Sequence, residues 1–241
     1  MDFTYEEAIE QVMLKNGKFA SLKQLYNEVW QYKDRNKIIG KTPNDTIRYV
    51  VQKCDKFFRV GLGIYGLKEF EKDIFIKQDS PKTEQEKTER KHSQIQGMLI
   101  EIGNLRGFDT YTNDKAWIFD GKKLGSLISL KNIPPFTYEK IISRSASFCD
   151  VIWFGGNSEF LYPTRVCEVE HSTDFRDALI KFKELEFFNA EFYCISDEKR
   201  RNKFELEINK KAFESIRNRV QFQSYGDIET IYEFERKKIK F

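Results

Sequence analysis

The stretch 148–173, FCDVIWFGGNSEFLYPTRVCEVEHST, limits the possible folds of this chain more than any other segment. Its first part, CDVIWF, is a short apolar run of the kind that forms a buried strand. Gly155, Gly156 and Asn157 supply a turn, and TRVCEVEHST then reads as a second strand. Side chains alternate across a strand, so Glu168 and Glu170 are expected on one face while Cys167 and Val169 enter the core. An acidic pair of this kind is also what an ordinary solvated strand face shows, so the flanking elements have to decide between the readings. His171, one position on, is expected on the opposite face in a structural hydrogen bond.

The flanks supply that context. Upstream, HSQIQGMLIEIGNLRGF carries Ile95, Met98, Leu99, Ile102 and Leu105 at helical spacing and stops at Gly107. Polar His92, Gln96 and Glu101 lie off that stripe, and His92 also suits a cap, a core edge or a phosphate contact. A strand at FDTYT follows, then a variable stretch through Pro134 and Pro135. Downstream, Phe175, Ala178, Leu179, Phe182 and Leu185 mark an amphipathic helix, and AEFYCIS is a core strand. DEKRRNKFE reads as a basic loop, with closing helices at 209–220 and 227–238. Carboxylates in an apolar strand are costly unless a cation satisfies them. With Asp150 arriving on the neighbouring strand, three acids can meet at one point, and hard oxygen ligands of that type suit Mg2+.

Helix, aspartate strand, turn, acidic strand and helix in this order resemble the PD-(D/E)XK nuclease core over residues 92–195. The resemblance implies metal-dependent phosphodiester hydrolysis, with Asp150 and Glu168 as the metal ligands. It further implies an accessory acid in the preceding helix, which Glu101, His92 or Gln96 can supply. VCEVEHST is similar to the E-V-E branch of restriction-endonuclease-like proteins. Glu170 stands where the general motif has lysine, so the positive charge has to come from Arg176, Lys181 or Lys183, or Glu170 itself orients the attacking water. No GxSxG elbow, Walker loop or dinucleotide fingerprint offers a different chemistry.

From Lys68 to Lys91 the chain turns mostly charged and polar, which predicts a linker over 71–91, helical in its second half, between domains at 1–70 and 92–241. In the first domain, Thr4 and Glu7 form a capping box ahead of Ala8, Ile9, Val12 and Met13. Ser21 caps a second helix with Leu22, Leu25, Tyr26, Val29 and Trp30. Thr42 and Pro43 open a third with Ile47, Val50, Val51 and Cys54. FFRVGLGIYGL then reads as two strands around a glycine turn. FASLKQLYNEVWQ, GKTPNDTIRYVVQ and FFRVGLGIYGL together resemble the HARE winged-helix family, which implies a DNA-associated module; protein contact is the other use of such a fold. The net charge is only +3, but between Lys33 and Arg59 basic residues outnumber the acids Asp34, Asp45 and Asp55. Thr42, Asn44, Arg48 and Gln52 can address base edges, while Lys41, Lys53 and Arg59 suit phosphates.

Cys54, Cys149, Cys167 and Cys194 are widely spaced among apolar neighbours, which predicts reduced thiols in a cytoplasmic protein. The opening MDFTYEEAIE lacks the apolar run of a signal peptide. The expectation is therefore an α+β chain, a winged helix-turn-helix followed by a restriction-endonuclease-like core with a central mixed sheet. Its expected activity is that of a sequence-specific, Mg2+-dependent type II restriction enzyme acting on double-stranded DNA as a homodimer. Two rivals are a DNA-binding regulator that has lost catalysis and a nuclease acting on modified or damaged DNA.

Overall fold

The computed structural model describes all residues except 1–2, 39–40, 77–79, 158, 172–173 and 239–241. Its first unit runs α1 (Tyr5–Lys15), β1 (Phe19–Ser21), α2 (Leu22–Glu28), α3 (Pro43–Lys53), β2 (Phe57–Gly61) and β3 (Ile64–Leu67), with a sheet in the order β1-β3-β2. Thr4 and Glu7 close the capping box of α1, and Ser21 and Gln24 close another on α2. The three helices pack around Ile9, Met13, Leu25, Ile47 and Val51. Strand β1, three residues long, carries no alternating signal and is absent from the sequence reading.

The second part holds α5 (Glu84–Leu105), β4 (Asp109–Tyr111), β5 (Ile118–Phe119), β6 (Lys122–Lys123), α6 (Glu139–Arg144), β7 (Val151–Gly156), β8 (Leu161–Val169), α7 (Arg176–Glu184), β9 (Glu191–Ser196), α8 (Arg201–Ile208), β10 (Val220–Ser224) and α9 (Tyr225–Lys238), after a one-turn α4 (Glu71–Ile74). Its five-stranded sheet has the order β10-β9-β8-β7-β4. β4, β7 and β8 pair antiparallel, whereas β8, β9 and β10 run parallel, so the sheet is mixed. Parallel neighbours need a crossover, and α7 and α8 provide the two.

Strand alternation divides the core. Val151, Trp153, Cys167, Val169, Tyr193 and Ile195 face α5 and α9, while Ile152, Phe154, Val166, Phe192 and Cys194 face α7 and α8. Trp153, Phe154, Phe182 and Phe192 are almost fully buried, each contributing about 1.5–3 kcal/mol of transfer free energy.

Three elements differ from the sequence reading. DEKRRNKFE is not a loop: after a 3-10 turn it forms α8, with Phe204 and Ile208 anchored in the core. The segment 209–220 is not a helix but two 3-10 turns leading into β10, whose alternation is weak because its burial is only partial. Helix α5 begins at Glu84, in the second half of 71–91 where a helix is expected, with Thr83 and Glu86 as its capping box, but it differs in that Gln96 and Glu101 on its polar side are buried too. A helix covered on several faces loses the one-sided stripe from which burial is read.

The two parts share apolar packing. Val60, Leu62 and Ile64 of the β2–β3 hairpin belong to the same cluster as Ile95, Leu99 and Ile102 of α5. Lys23 reaches Asp109 at 2.6 Å, Gln24 Nε2 donates to the Ser129 carbonyl at 3.0 Å, and Lys122 Nζ donates to the Val60 carbonyl at 2.8 Å. At the hairpin turn, Gly63 has φ +73°, and a Cβ there would lie 3.1 Å from the Asn104 backbone, so conformation and clearance both call for glycine. Among the described residues no helix is long and apolar enough to cross a membrane.

Candidate active site

Strand register brings the acids together. In the antiparallel pair β7–β8, Val151 sits opposite Cys167, so continuing one residue sets Asp150 opposite Glu168. In β4–β7, Tyr111 sits opposite Ile152, so continuing two residues sets Asn113 opposite Asp150, with Asp114 next to it. One end of three adjacent strands therefore presents 113–114, 150 and 168 in a row. Asp150 just precedes its strand, and its Oδ2 accepts the Val169 N–H at 2.7 Å, which pins the carboxylate across the β7–β8 pair.

Glu168 is 2% exposed. It faces α7, where Lys181 Nζ donates to Glu168 Oε2 at 2.7 Å and to the Phe148 carbonyl at 2.9 Å. Burial and the nearby Asp150 charge push the Glu168 carboxyl well above the usual carboxylate range, with Lys181 opposing them. Burial is also the largest influence on Lys181 and disfavours its charge, yet the Glu168 carboxylate outweighs it and holds the ammonium above its ordinary value. We read the pair as ionised, because the 2.7 Å contact gives each charge the partner that its burial demands.

Of the three basic residues offered for the missing motif lysine, the fold brings Lys181 to the acids. Arg176 instead lies 3.6 Å from Glu207, and Lys183 donates to Ser215 Oγ at 3.1 Å. Glu170 lies just past the end of β8 and is half-buried; its carbonyl accepts from Ser196 Oγ and from the Tyr225 hydroxyl. Its charge acts on Cys194 and Tyr225, which places it toward β9 and α9.

Glu101 is the correction at this site. It is buried, but against the Tyr232 hydroxyl at 2.8 Å and Lys122 at 3.9 Å, beneath the β2–β3 hairpin. His92 and Glu101 are nine residues apart on α5, about two and a half turns, so they point to opposite sides of the helix. The side that faces Asp150 is that of His92 and Gln96, the alternatives offered by the sequence. His92 Nε2 is 3.3 Å from Asp150 Oδ2 and 4.0 Å from Asp114 Oδ2, and Gln96 Nε2 donates to Asp114 Oδ2 at 2.7 Å. Burial raises the Asp114 carboxyl, and Asp150 adds to the rise. Asp114 escaped the sequence reading because it lies in a loop without periodicity; the available signal was its distance beyond the β4 strand.

His171 is hydrogen-bonded, as expected, but it lies at the site rather than away from it, since alternation ends with β8. Its ring is 4.9 Å from that of His92. The Tyr225 hydroxyl donates to the Glu170 carbonyl at 2.9 Å, so its oxygen accepts the 2.7 Å bond from His171 Nδ1, which therefore carries the proton. Burial, followed by the nearby His92, lowers the His171 pKa to about 4, leaving the ring neutral at pH 7.

Several buried polar atoms around these acids have no hydrogen-bond partner among the described residues: Glu168 Oε1, His92 Nε2, Gln96 Oε1 and His171 Nε2. Buried polar atoms are normally paired, so a cluster of orphans beside two carboxylates has the donor character of a cation site. The residues present fit a divalent metal.

In the first unit, Asn44, Arg48 and Gln52 are exposed along one side of α3, Lys53 is exposed at its last position, and Lys41, Thr42 and Arg59 are exposed beside it. Gln52 Nε2 is 3.3 Å from the Tyr65 hydroxyl, and Arg59 Nε donates to the Gly61 carbonyl at 3.3 Å. Cys149, Cys167 and Cys194 are buried free thiols, and Cys54 is half-buried.

Comparison with known proteins gives this geometry a family. Residues 74–241 match the profile described as the type II restriction enzyme NmeDI C-terminal domain. Among curated proteins, the type II restriction enzyme NmeDI of Neisseria meningitidis serogroup C is 29% identical over 193 residues, covering 69% of this chain and 53% of that protein. The chain thus spans about half the length of that relative. No solved structure matches it. With more than half of its length, including every acid of the candidate site, inside the matched region, the chain belongs to the family of the type II restriction enzyme NmeDI C-terminal domain.

Proposed function

We propose that this chain is a sequence-specific, Mg2+-dependent DNA endonuclease of the PD-(D/E)XK type, working as a type II restriction enzyme within a restriction-modification pair. The observation that carries this reading is the meeting of Asp150, Glu168 and Lys181 at one end of the β7–β8 pair. Similarity to a type II restriction enzyme supports it independently.

Asp150 and Glu168 would hold the ion, and a divalent cation so held supplies Lewis acidity toward a phosphoryl oxygen and toward water. The protein's own residues do the rest. The Val169 N–H fixes Asp150, Lys181 offsets the buried charge of Glu168 and brings a cation near the scissile phosphate, and the neutral His171, its ring beside that of His92, keeps Nε2 unprotonated. Proximity and charge account for the chemistry without a covalent nucleophile.

For the first unit we infer a winged helix, supported by the order helix, strand, helix, helix, hairpin with its β1-β3-β2 sheet. Asn44, Arg48 and Gln52 would read bases in the major groove, and Lys41, Lys53 and Arg59 would grip phosphates. Cutting both strands at one site calls for two active sites, hence a homodimer.

The test is incubation of the purified chain with methylated and unmethylated plasmid DNA and Mg2+. Discrete fragments from the unmethylated plasmid are expected. Fragments from the methylated plasmid alone would move the assignment to a modification-dependent nuclease. DNA retained but uncut would indicate a regulator that has lost catalysis.

A further inference from the structure

We infer that the metal centre is a mixed imidazole–carboxylate site in which His92 and Asp114 join Asp150 as ligands, so that it binds a first-row transition ion such as Mn2+ or Co2+ more tightly than Mg2+. The inference rests on the nuclease reading for its use, but its geometry stands apart from it. His92, Asp114 and Asp150 each offer one ligand atom, and these lie within 4.8 Å of one another. They come from three separate elements: His92 from the middle of α5, Asp114 from the loop after β4, and Asp150 from the start of β7.

The spacing suits a small cation. At metal–ligand distances of about 2.1 Å, neighbouring ligand atoms in an octahedron are about 3.0 Å apart and opposite ones about 4.2 Å apart. His92 Nε2 lies 3.3 Å from Asp150 Oδ2 and 4.0 Å from Asp114 Oδ2, both inside that range. Yet His92 Nε2 forms no hydrogen bond with either carboxylate among the described residues. A buried imidazole nitrogen within ion-pair distance of two carboxylates, yet hydrogen-bonded to neither, is placed where a third ligand would sit.

A second observation is independent of the cluster. Gln96 is completely buried, holds Asp114 through Nε2, and leaves Oε1 without a partner; Glu168, 2% exposed, leaves Oε1 without one as well. Gln96 therefore acts as the outer group that orients a ligand, one helical turn from His92. A nitrogen ligand changes the preference of the centre. Carboxylates alone suit Mg2+, whereas imidazole favours ions later in the first row, and Mn2+ accepts both donors.

The experiment uses the full chain freed of metal with a chelator, then titrated with Co2+ and Mn2+. One equivalent of Co2+ should bind with a visible absorption band, and bound Mn2+ should show nitrogen coupling in pulsed electron paramagnetic resonance. His92→Gln should abolish that coupling and weaken Co2+ binding roughly tenfold or more, with Mg2+ affinity changing much less. Asp114→Asn, which keeps side-chain shape, should weaken Co2+ as well while far-UV circular dichroism stays unchanged. Undiminished Co2+ affinity in both variants, or nitrogen coupling that persists in His92→Gln, would overturn the inference. Plasmid cleavage with Mg2+ separates the two claims. A wild type that cuts, with an unaffected His92→Gln centre, removes the ligand assignment alone; a wild type that binds Co2+ through His92 but cuts nothing removes the nuclease reading alone.

Discussion

At the scale of single residues, the site is governed by how deeply its charges are buried. Glu168 is buried beside another carboxylate, and its stable partner is Lys181. Lys181→Met should therefore destabilise the metal-free protein by about 3 kcal/mol, the order expected when one partner of a buried pair is removed. Urea denaturation of the two proteins in chelator checks this, and added Mn2+ should shrink the difference by giving Glu168 another cation. His171 supplies a pH dependence. Its folded pKa of about 4 lies below the ordinary value of 6.5, so as pH falls between those values the unfolded chain takes up a proton that the folded one refuses. The wild type should thus lose stability as pH drops from 6.5 toward 4, and His171→Gln should lose less over the same window. Equal slopes in thermal melts would contradict the assignment of a buried neutral ring. Asp150 and Glu168 were legible in the sequence, because acids beside apolar strands carry an energetic signature. Asp114 was not, since a loop residue acquires its neighbours only through the sheet register. Glu101 showed the limit of counting acids: its distance along the helix from His92 turns it to the opposite side.

At the scale of elements, α5 joins the two halves of the fold. Its middle carries His92 and Gln96 to the acids, while Glu101 and Asn104 near its end meet the hairpin of the first unit. Gly97 lets it approach the β5–β6 hairpin closely, for a Cβ there would lie 2.1 Å from Phe119 Cγ. Gly97→Ala gains about 1 kcal/mol of helix propensity, but overpacking of this severity costs about 1–3 kcal/mol or more. The expected outcome is a net loss of stability and weaker metal binding, measured by denaturation and Co2+ titration; a stabilised variant would show that the close approach is dispensable. In the sequence, one-sided apolar stripes exposed α1, α2, α3 and α7 and part of α5, while β7 and β9 showed as short apolar runs buried on both faces and β8 as an alternation of acids with core residues. Periodicity missed β1 and β10 because one is very short and the other is only partly buried, and it mistook α8 for a loop because charged residues dominate its exposed sides.

At the scale of the whole molecule, the shared cluster of Val60, Leu62 and Ile64 with α5 makes the β2–β3 hairpin part of the larger core. Leu62→Ala should cost about 2–5 kcal/mol. It should also shift the unfolding midpoint seen by Trp153 fluorescence in a chain carrying Trp30→Phe and Trp117→Phe, although Leu62 lies in the first unit; an unchanged Trp153 transition would show that the two parts unfold independently. The polar stretch around residues 71–91 suggested separation in the sequence, and composition cannot reveal that apolar residues on either side meet in space.

Whether Asp150 and Glu168 hold an ion needed for cutting DNA is decided by single-turnover cleavage of plasmid DNA by Glu168→Gln beside the wild type at saturating Mg2+. The variant should fold, match the wild type in circular dichroism and in DNA retention, and cut at a rate lower by roughly a hundredfold or more, since a direct ligand should matter at least as much as a group that only orients one. A Glu168→Gln protein that cuts at the wild-type rate would contradict that assignment.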